Sequence, residues 1–294
     1  MLSTKNRRYA ATAVAALLAT TALTACGGQG SEGAGGRIRI GISGSSSDWD
    51  VLAKKAKAEG LDVELVTFDD YSLPNKALAA GDIELNAFQH LAFLSQFNAA
   101  NHTDIVPIGA TAIAPLGLFS RKYKSVGELP DKAQVVIPND PTNQGRALRV
   151  LEQAQLIRLK DDTGLQGTPE DINDNPKHLK ITAVDAQQTP RALQDADGAV
   201  INNGVAGQAG IDPTTAIFQD DPKNASTRPY INVIAARAKD KDNATYRRIV
   251  ELYHSPEVQK AAAEESKGAK VLSDLDPAAL QAELDALAKA AKAG

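Results

Sequence analysis

The chain has 294 residues, with 36 acidic against 32 basic side chains and a formal charge of −4. A mildly acidic balance makes a poor partner for nucleic acid or anionic lipid surfaces, so no nucleic-acid role is expected. The single cysteine, Cys26, excludes an intramolecular disulfide and a thiolate metal site, so the fold must stand on its apolar core, and the length suits two lobes.

The first residues read as an address. Lys5, Arg7 and Arg8 precede an apolar run from Tyr9 to Thr24, and Leu23-Thr24-Ala25-Cys26 places small residues just before the cysteine. This is similar to a bacterial lipoprotein signal, with residues 1–25 removed and Cys26 carrying lipid at the new N-terminus. An uncleaved anchor helix is the alternative, for which the apolar run is short. Residues 27–36, GGQGSEGAGG, have the composition of a flexible tether. Residues 26–36 are thus expected to hold the protein at the extracytoplasmic face of the cell membrane, with the body working in water.

From Arg37 to Ile42 the sequence alternates and predicts a first strand; Asp48 then fits as N-cap of a helix through Glu59. A second alternating strand, 63–67, a short helix, 73–80, a strand, 83–88, and a helix, 91–99, follow. The apolar run 105–114 stops at Pro115. Arg121-Lys-Tyr-Lys124 is a charged hinge candidate. Strands alternating with helices of this length predict an α/β fold with largely parallel sheets. Val135-Val-Ile137 then stops at Pro138, and a helical pattern begins after Asn143. This strand, turn and helix start aim free backbone N–H groups at a cleft. Arg146 falls near that helix start, where a cation opposes the helix dipole, so an anion is the natural thing for it to serve. Its alternative is a surface salt bridge with Asp140 or Glu152.

Beyond this stretch come a strand at 180–184, a run at 199–202 and a strand at 230–235 that returns to the first lobe. The expected division is 37–119 plus 229–294 for lobe 1 and 120–228 for lobe 2, joined by two crossings. On the last helix, residues 277–292, Leu280, Leu284 and Leu287 make one apolar stripe. It fits packing on the protein's own surface or against a partner helix.

Motifs for catalysis are absent: no nucleophile elbow, no phosphate loop and no HExxH. The 4 histidines show no metal-ligand spacing, so neither a metal nor a cofactor is expected, and His102, His178 and His254 read as solvated surface residues. Acidic pairs such as Asp220-Asp221 read as loop charges. What remains are uncharged polar and aromatic groups at strand ends: Tyr71, Phe88 and His90, Asn143 with Arg146, Asn202-Asn203, and Tyr230 with Asn232. Ligands of α/β sheets bind beyond the carboxyl ends of strands, so these groups can converge on one cleft. One cation, several amides and aromatic walls suit a small zwitterion with an apolar tail.

Three long segments, 65–78 (LVTFDDYSLPNKAL), 81–90 (GDIELNAFQH) and 136–146 (VIPNDPTNQGR), closely resemble the methionine-binding lipoproteins of ABC importers, the NlpA family. Ala199-Val-Ile-Asn202 and Pro229-Tyr-Ile-Asn232 fall in matching order. The resemblance spans roughly residues 37–265. It implies a two-lobed periplasmic-binding-protein-like fold with a ligand cleft between the lobes. It also implies a monomer that captures an amino acid, methionine or a relative, and delivers it to an ABC permease and ATPase complex. By the same resemblance Arg146 holds the substrate carboxylate and Asn202 and Asn232 its polar end, while Tyr71, Phe88 and His90 line the pocket. The chain departs from the family pattern at Ala114 (often aromatic), Phe93 (commonly tyrosine) and Asn203-Gly204-Val205. An enzyme on a binding-protein-like scaffold, or a surface adhesin, is the alternative.

Overall fold

The computed structural model describes residues 36–44 and 46–293. The expected signal, Cys26 and nearly all of the tether lie outside the described residues. In chain order the elements are β1 (Ile38–Ile42), α1 (Ser47–Ala58), β2 (Val63–Thr67), α2 (Pro74–Ala80), β3 (Leu85–His90), α3 (Leu91–Asn101), β4 (Ile105–Ala110), β5 (Ala112–Ile113) and β6 (Gly117–Phe119). There follow β7 (Gln134–Pro138), α4 (Pro141–Gln153), β8 (Arg158–Leu159), β9 (Ile172–Asp174), β10 (Lys180–Val184), α5 (Thr189–Ala192), β11 (Gly198–Ile201), α6 (Asn203–Gln208) and β12 (Phe218–Gln219). The chain ends with β13 (Asn232–Arg237), α7 (Ala244–Tyr253), α8 (Pro256–Glu265), β14 (Val271–Leu272) and α9 (Pro277–Ala293).

Two five-stranded sheets carry the fold, ordered β2-β1-β3-β13-β4 and β10-β7-β11-β6-β12. Within each, the strands linked by helices run parallel, as helix crossovers require. One strand in each runs against its neighbours: β13 in the first sheet and β6 in the second. These are the two strands that arrive from the other sheet. Parallel strands end at the cleft, so a strand entering from the cleft must run the opposite way. The sheets are therefore more mixed than the sequence pattern suggested.

Sheet pairing also moves the first crossing. Gly117–Phe119, expected in lobe 1, pairs with β11 and β12, and Leu116 and Leu118 bury in the second core. The connections are thus residues 114–116 outward and 220–231 back. The charged segment 121–124 follows β6 inside the second lobe, so it is no hinge.

Helices cover both faces of each sheet. In the first, Leu52, Ile249, Leu252 and Val258 of α1, α7 and α8 pack on Ile40, Leu85 and Ile234. On the opposite face Leu78, Leu94, Leu280 and Leu284 of α2, α3 and α9 pack on Ile83, Ile105 and Val233. The leucine stripe of the last helix is thereby spent on its own chain. In the second sheet the period of 2 sorts Val135 and Ile137 onto the α4 side and Val136 onto the side of Leu193 and Val205.

Candidate functional site

The cleft opens where the parallel strands of both sheets end. It encloses about 220 Å³, and its walls include Tyr71, Phe88, His90, Asn143, Arg146, Asn202 and Asn232. Tyr230 stands behind this wall rather than in it: it is buried, in the 3₁₀ turn Ala225–Tyr230 before β13, with its ring 4.4 Å beneath the Arg146 guanidinium carbon. Its ring also meets that of His90 at 5.1 Å, edge on.

Helix α4 shows how the Pro-Asn-rich turn places its groups. Pro141 takes the first helical position, where its missing N–H costs nothing. Asp140 is the N-cap, accepting from the Asn143 backbone N–H at 3.0 Å, and its carboxylate also takes the Asn143 side-chain amide at 3.0 Å. Burial pushes the Asp140 carboxyl above its ordinary pKa, and the bonds from Asn143 and Thr142 oppose that rise. With its amide so held, Asn143 presents Oδ1 to the Asn202 Nδ2 at 2.6 Å and to His90 Nε2 at 3.4 Å. Asn202 Oδ1 is left as a buried acceptor without a partner.

Arg146 lies a turn deeper than its expected place at the helix start, and its partner is neither Asp140 nor Glu152. Nε donates to Asp220 Oδ2 at 2.8 Å and Nη2 to Asp220 Oδ1 at 3.2 Å, with both side chains buried. Nη2 also donates to the Ala114 carbonyl at 2.9 Å, and Asp220 accepts from the Leu116 N–H at 2.8 Å. Asp220 is therefore no loop charge. The pair engages the guanidinium along one edge through Nε and Nη2, and Arg146 is among the residues that line the cleft. Glu152 instead pairs with Arg149 at 2.8 Å.

His90 serves two purposes at once. Its Nδ1 accepts from the Phe93 N–H at 3.0 Å and caps α3, which leaves the ring proton on Nε2 and the ring facing the cleft. Burial, and next the Arg146 cation, lower its pKa to about 3, so it stays neutral. Phe88 is half-buried and meets Tyr71 at 5.9 Å and Phe93 at 5.7 Å, ring centre to ring centre. These three rings form the apolar wall. Asn232 donates from Nδ2 to the Ala112 carbonyl at 3.1 Å, fixing its orientation at the start of β13.

Asp48 does not cap α1 as expected. It sits inside the first turn, buried, and accepts from the Tyr253 hydroxyl at 3.0 Å. Trp49 packs against Tyr253 at 5.0 Å as a core residue that also borders the cleft. Across the mouth, Gln208 Nε2 donates to the Ser43 carbonyl at 2.8 Å and Gln187 Nε2 to the Ser43 hydroxyl at 3.3 Å. Lys267 pairs with Asp212 across the same opening. Gly44 adopts φ +75, and a Cβ there would lie 2.1 Å from Gln208 Nε2, so glycine suits both the backbone and the tie. Sequence reasoning missed Asp220, Gln208 and Ser43. No local pattern marks them, although Asn203, judged from its place after a strand, does border the cleft.

Among the described residues no group of three or more His, Cys, Asp or Glu is placed to hold a metal ion, and no helix is long and apolar enough to cross a membrane. The cleft offers groups for recognition: one guanidinium paired along one edge with Asp220, neutral amides and an aromatic wall.

Two matched three-layer lobes around a polar cleft make this a periplasmic-binding-protein-like fold. The model of the NlpA lipoprotein family matches residues 38–273, and the chain belongs to that family. It is 44% identical to the D-methionine-binding lipoprotein MetQ of Salmonella typhimurium, over 85% of this chain and 92% of the relative. Protein PG110 from Staphylococcus aureus is 51% identical with a TM-score of 0.83, covering 85% of this chain and 99% of that one. A nutrient binding protein from Burkholderia cenocepacia, solved bound to methionine, is 42% identical with a TM-score of 0.76, covering 80% and 99%.

Proposed function

We propose that the protein is the substrate-binding component of an ABC importer, held to the cell membrane by lipid on Cys26. It captures methionine or a close relative and hands it, as a monomer, to a permease and ATPase complex. The observation that carries this reading is the Arg146 fork. Asp220 fixes its plane and offsets part of its charge, leaving Nη1 for one further acceptor, as a carboxylate would supply. The orphan Asn202 Oδ1 offers an acceptor for the ammonium. Tyr71, Phe88 and Phe93 offer an apolar wall for the tail, to which a polarizable thioether is well suited. Capture by closure needs no bond-making chemistry, only tighter binding by the closed arrangement.

The lobe division that follows the two sheets supports closure about residues 114–116 and 220–231. Mass spectrometry of ligand released from freshly purified, denatured protein tests the reading, followed by calorimetry with L- and D-methionine. An α-amino carboxylate is expected in the released fraction. Arg146→Ala is expected to weaken binding at least about tenfold, the loss of one charge-assisted contact of ~1.5–3 kcal/mol. A released ligand lacking the amino-acid head, or no heat with either isomer, overturns the proposal.

A further inference from the structure

Strand β3 carries an irregularity beside the cleft. Gln89 pairs with Val233 and Asn86 with Ala235, so Ile234 alone faces both Ala87 and Phe88. Two residues against one is a β-bulge, a device that re-aims side chains. In a regular strand, side chains three positions apart point to opposite faces. Here Asn86 and Gln89 reach the same partner, Asn75 of α2. Gln89 Nε2 donates to Asn75 Oδ1 at 2.6 Å and to Asn86 Oδ1 at 2.9 Å. Asn75 Nδ2 donates to Gln89 Oε1 at 2.6 Å, and Asn86 Nδ2 to Asn75 Oδ1 at 2.8 Å.

All three amides are buried: Asn75 and Asn86 are 0% exposed and Gln89 2%. Apolar side chains would fill this space without needing partners, whereas an amide here tolerates only arrangements that satisfy it. The arrangement selected is a register, because both strand residues reach Asn75 only with the extra residue between them. That extra residue pair carries Phe88, which lines the cleft together with the neighbouring His90.

We propose that Asn75, Asn86 and Gln89 are positioning residues for ligand binding: a three-amide clamp that locks the β3 bulge and so aims Phe88 at the ligand's tail. The proposal rests on the amino-acid-binding reading above. Asn75 is not among the residues lining the cleft, so any effect it has on affinity is indirect, and coupling to Phe88 separates a route through β3 from one through Tyr71 at the start of its own segment.

A double-mutant cycle with Phe88, read by calorimetry with methionine on the full chain, tests it. Asn75→Ala is expected to weaken binding about tenfold in protein that still unfolds cooperatively. In a Phe88→Ala background the same change is expected to cost less than about twofold. Should Asn75→Ala not fold, Asn75→Asp takes its place. Its isosteric carboxylate would set an oxygen against Gln89 Oε1 in a site that is 0% exposed, so if held ionised it should cost at least as much as alanine. The loss is again expected to be confined to the background with Phe88. Equal losses in both backgrounds, or unchanged affinity with Phe88 present, overturn the clamp. No binding of methionine by the unaltered protein overturns the reading beneath it instead.

Discussion

Replacing Asp220 by alanine tests the account of the Arg146 site. The variant strips the guanidinium of two acceptors, at 2.8 and 3.2 Å, and leaves the Leu116 N–H, now bonded at 2.8 Å, without its partner. Both side chains of the pair are no more than 5% exposed, so water cannot readily replace what is lost. Breaking one side of such a buried pair costs ~3–5 kcal/mol, because a charge remains inside uncompensated. At about 2–4 °C per kcal/mol for a chain of this size, the melting temperature should fall by roughly 6–20 °C. Asp220→Asn should recover part of this, about 1 kcal/mol, by keeping an acceptor for Leu116 but not the charge. Differential scanning calorimetry of ligand-stripped protein measures both. A loss under ~1 kcal/mol for Asp220→Ala would show that the pair does not organise the site.

Three further outcomes follow from the geometry. His90 is held neutral with a pKa of about 3 in the fold, against about 6.5 in the unfolded chain. The unfolded chain alone takes up that proton as pH falls from about 6.5 toward 3, so stability should drop through this window by up to ~1.4 kcal/mol per pH unit. His90→Gln should remove that slope, and parallel stability–pH curves for the two proteins would refute it. Gly145→Ala would set a Cβ 2.1 Å from the Leu165 carbonyl oxygen and 2.8 Å from the Gly167 nitrogen, both backbone atoms. Thermal unfolding should show a loss of ~1–3 kcal/mol; an unchanged midpoint would mean that the loop 163–167 is not seated on α4. Gln208→Ala should speed ligand release roughly two- to tenfold by removing the bond across the mouth, with little change in capture. Stopped-flow data showing the effect in association instead would argue against the tie.

Local chemistry made much of this fold legible. Val135 to Pro138 followed by Pro141 and Asn143 marks a strand, turn and helix from composition alone, while the structure makes Asp140 the cap and starts the helix at Pro141, ahead of the expected start after Asn143. Sheet membership was less readable. Gly117–Phe119 is a three-residue strand whose place depends on pairing with β11, about eighty residues on, and no periodicity carries that information. The same distance hid the partner of Arg146: Asp220 sits beside another aspartate and before Pro222, which reads as a solvated loop until the chain folds back. Tyr230 was placed near the site by its neighbour Asn232, but the turn before β13 points it under the guanidinium. The polar residues of β3 lay in plain view as Asn86-Ala-Phe-Gln89, yet only the bulge turns two of them to one side.

Arg146 is fastened to both connections between the lobes: through Ala114 on the outward one, and through Asp220 and Tyr230 on the return. A group that meets the cargo and is also bolted to the axle makes load and bearing one mechanical part. A carboxylate held at the fork, as proposed, would pull on both connections at once.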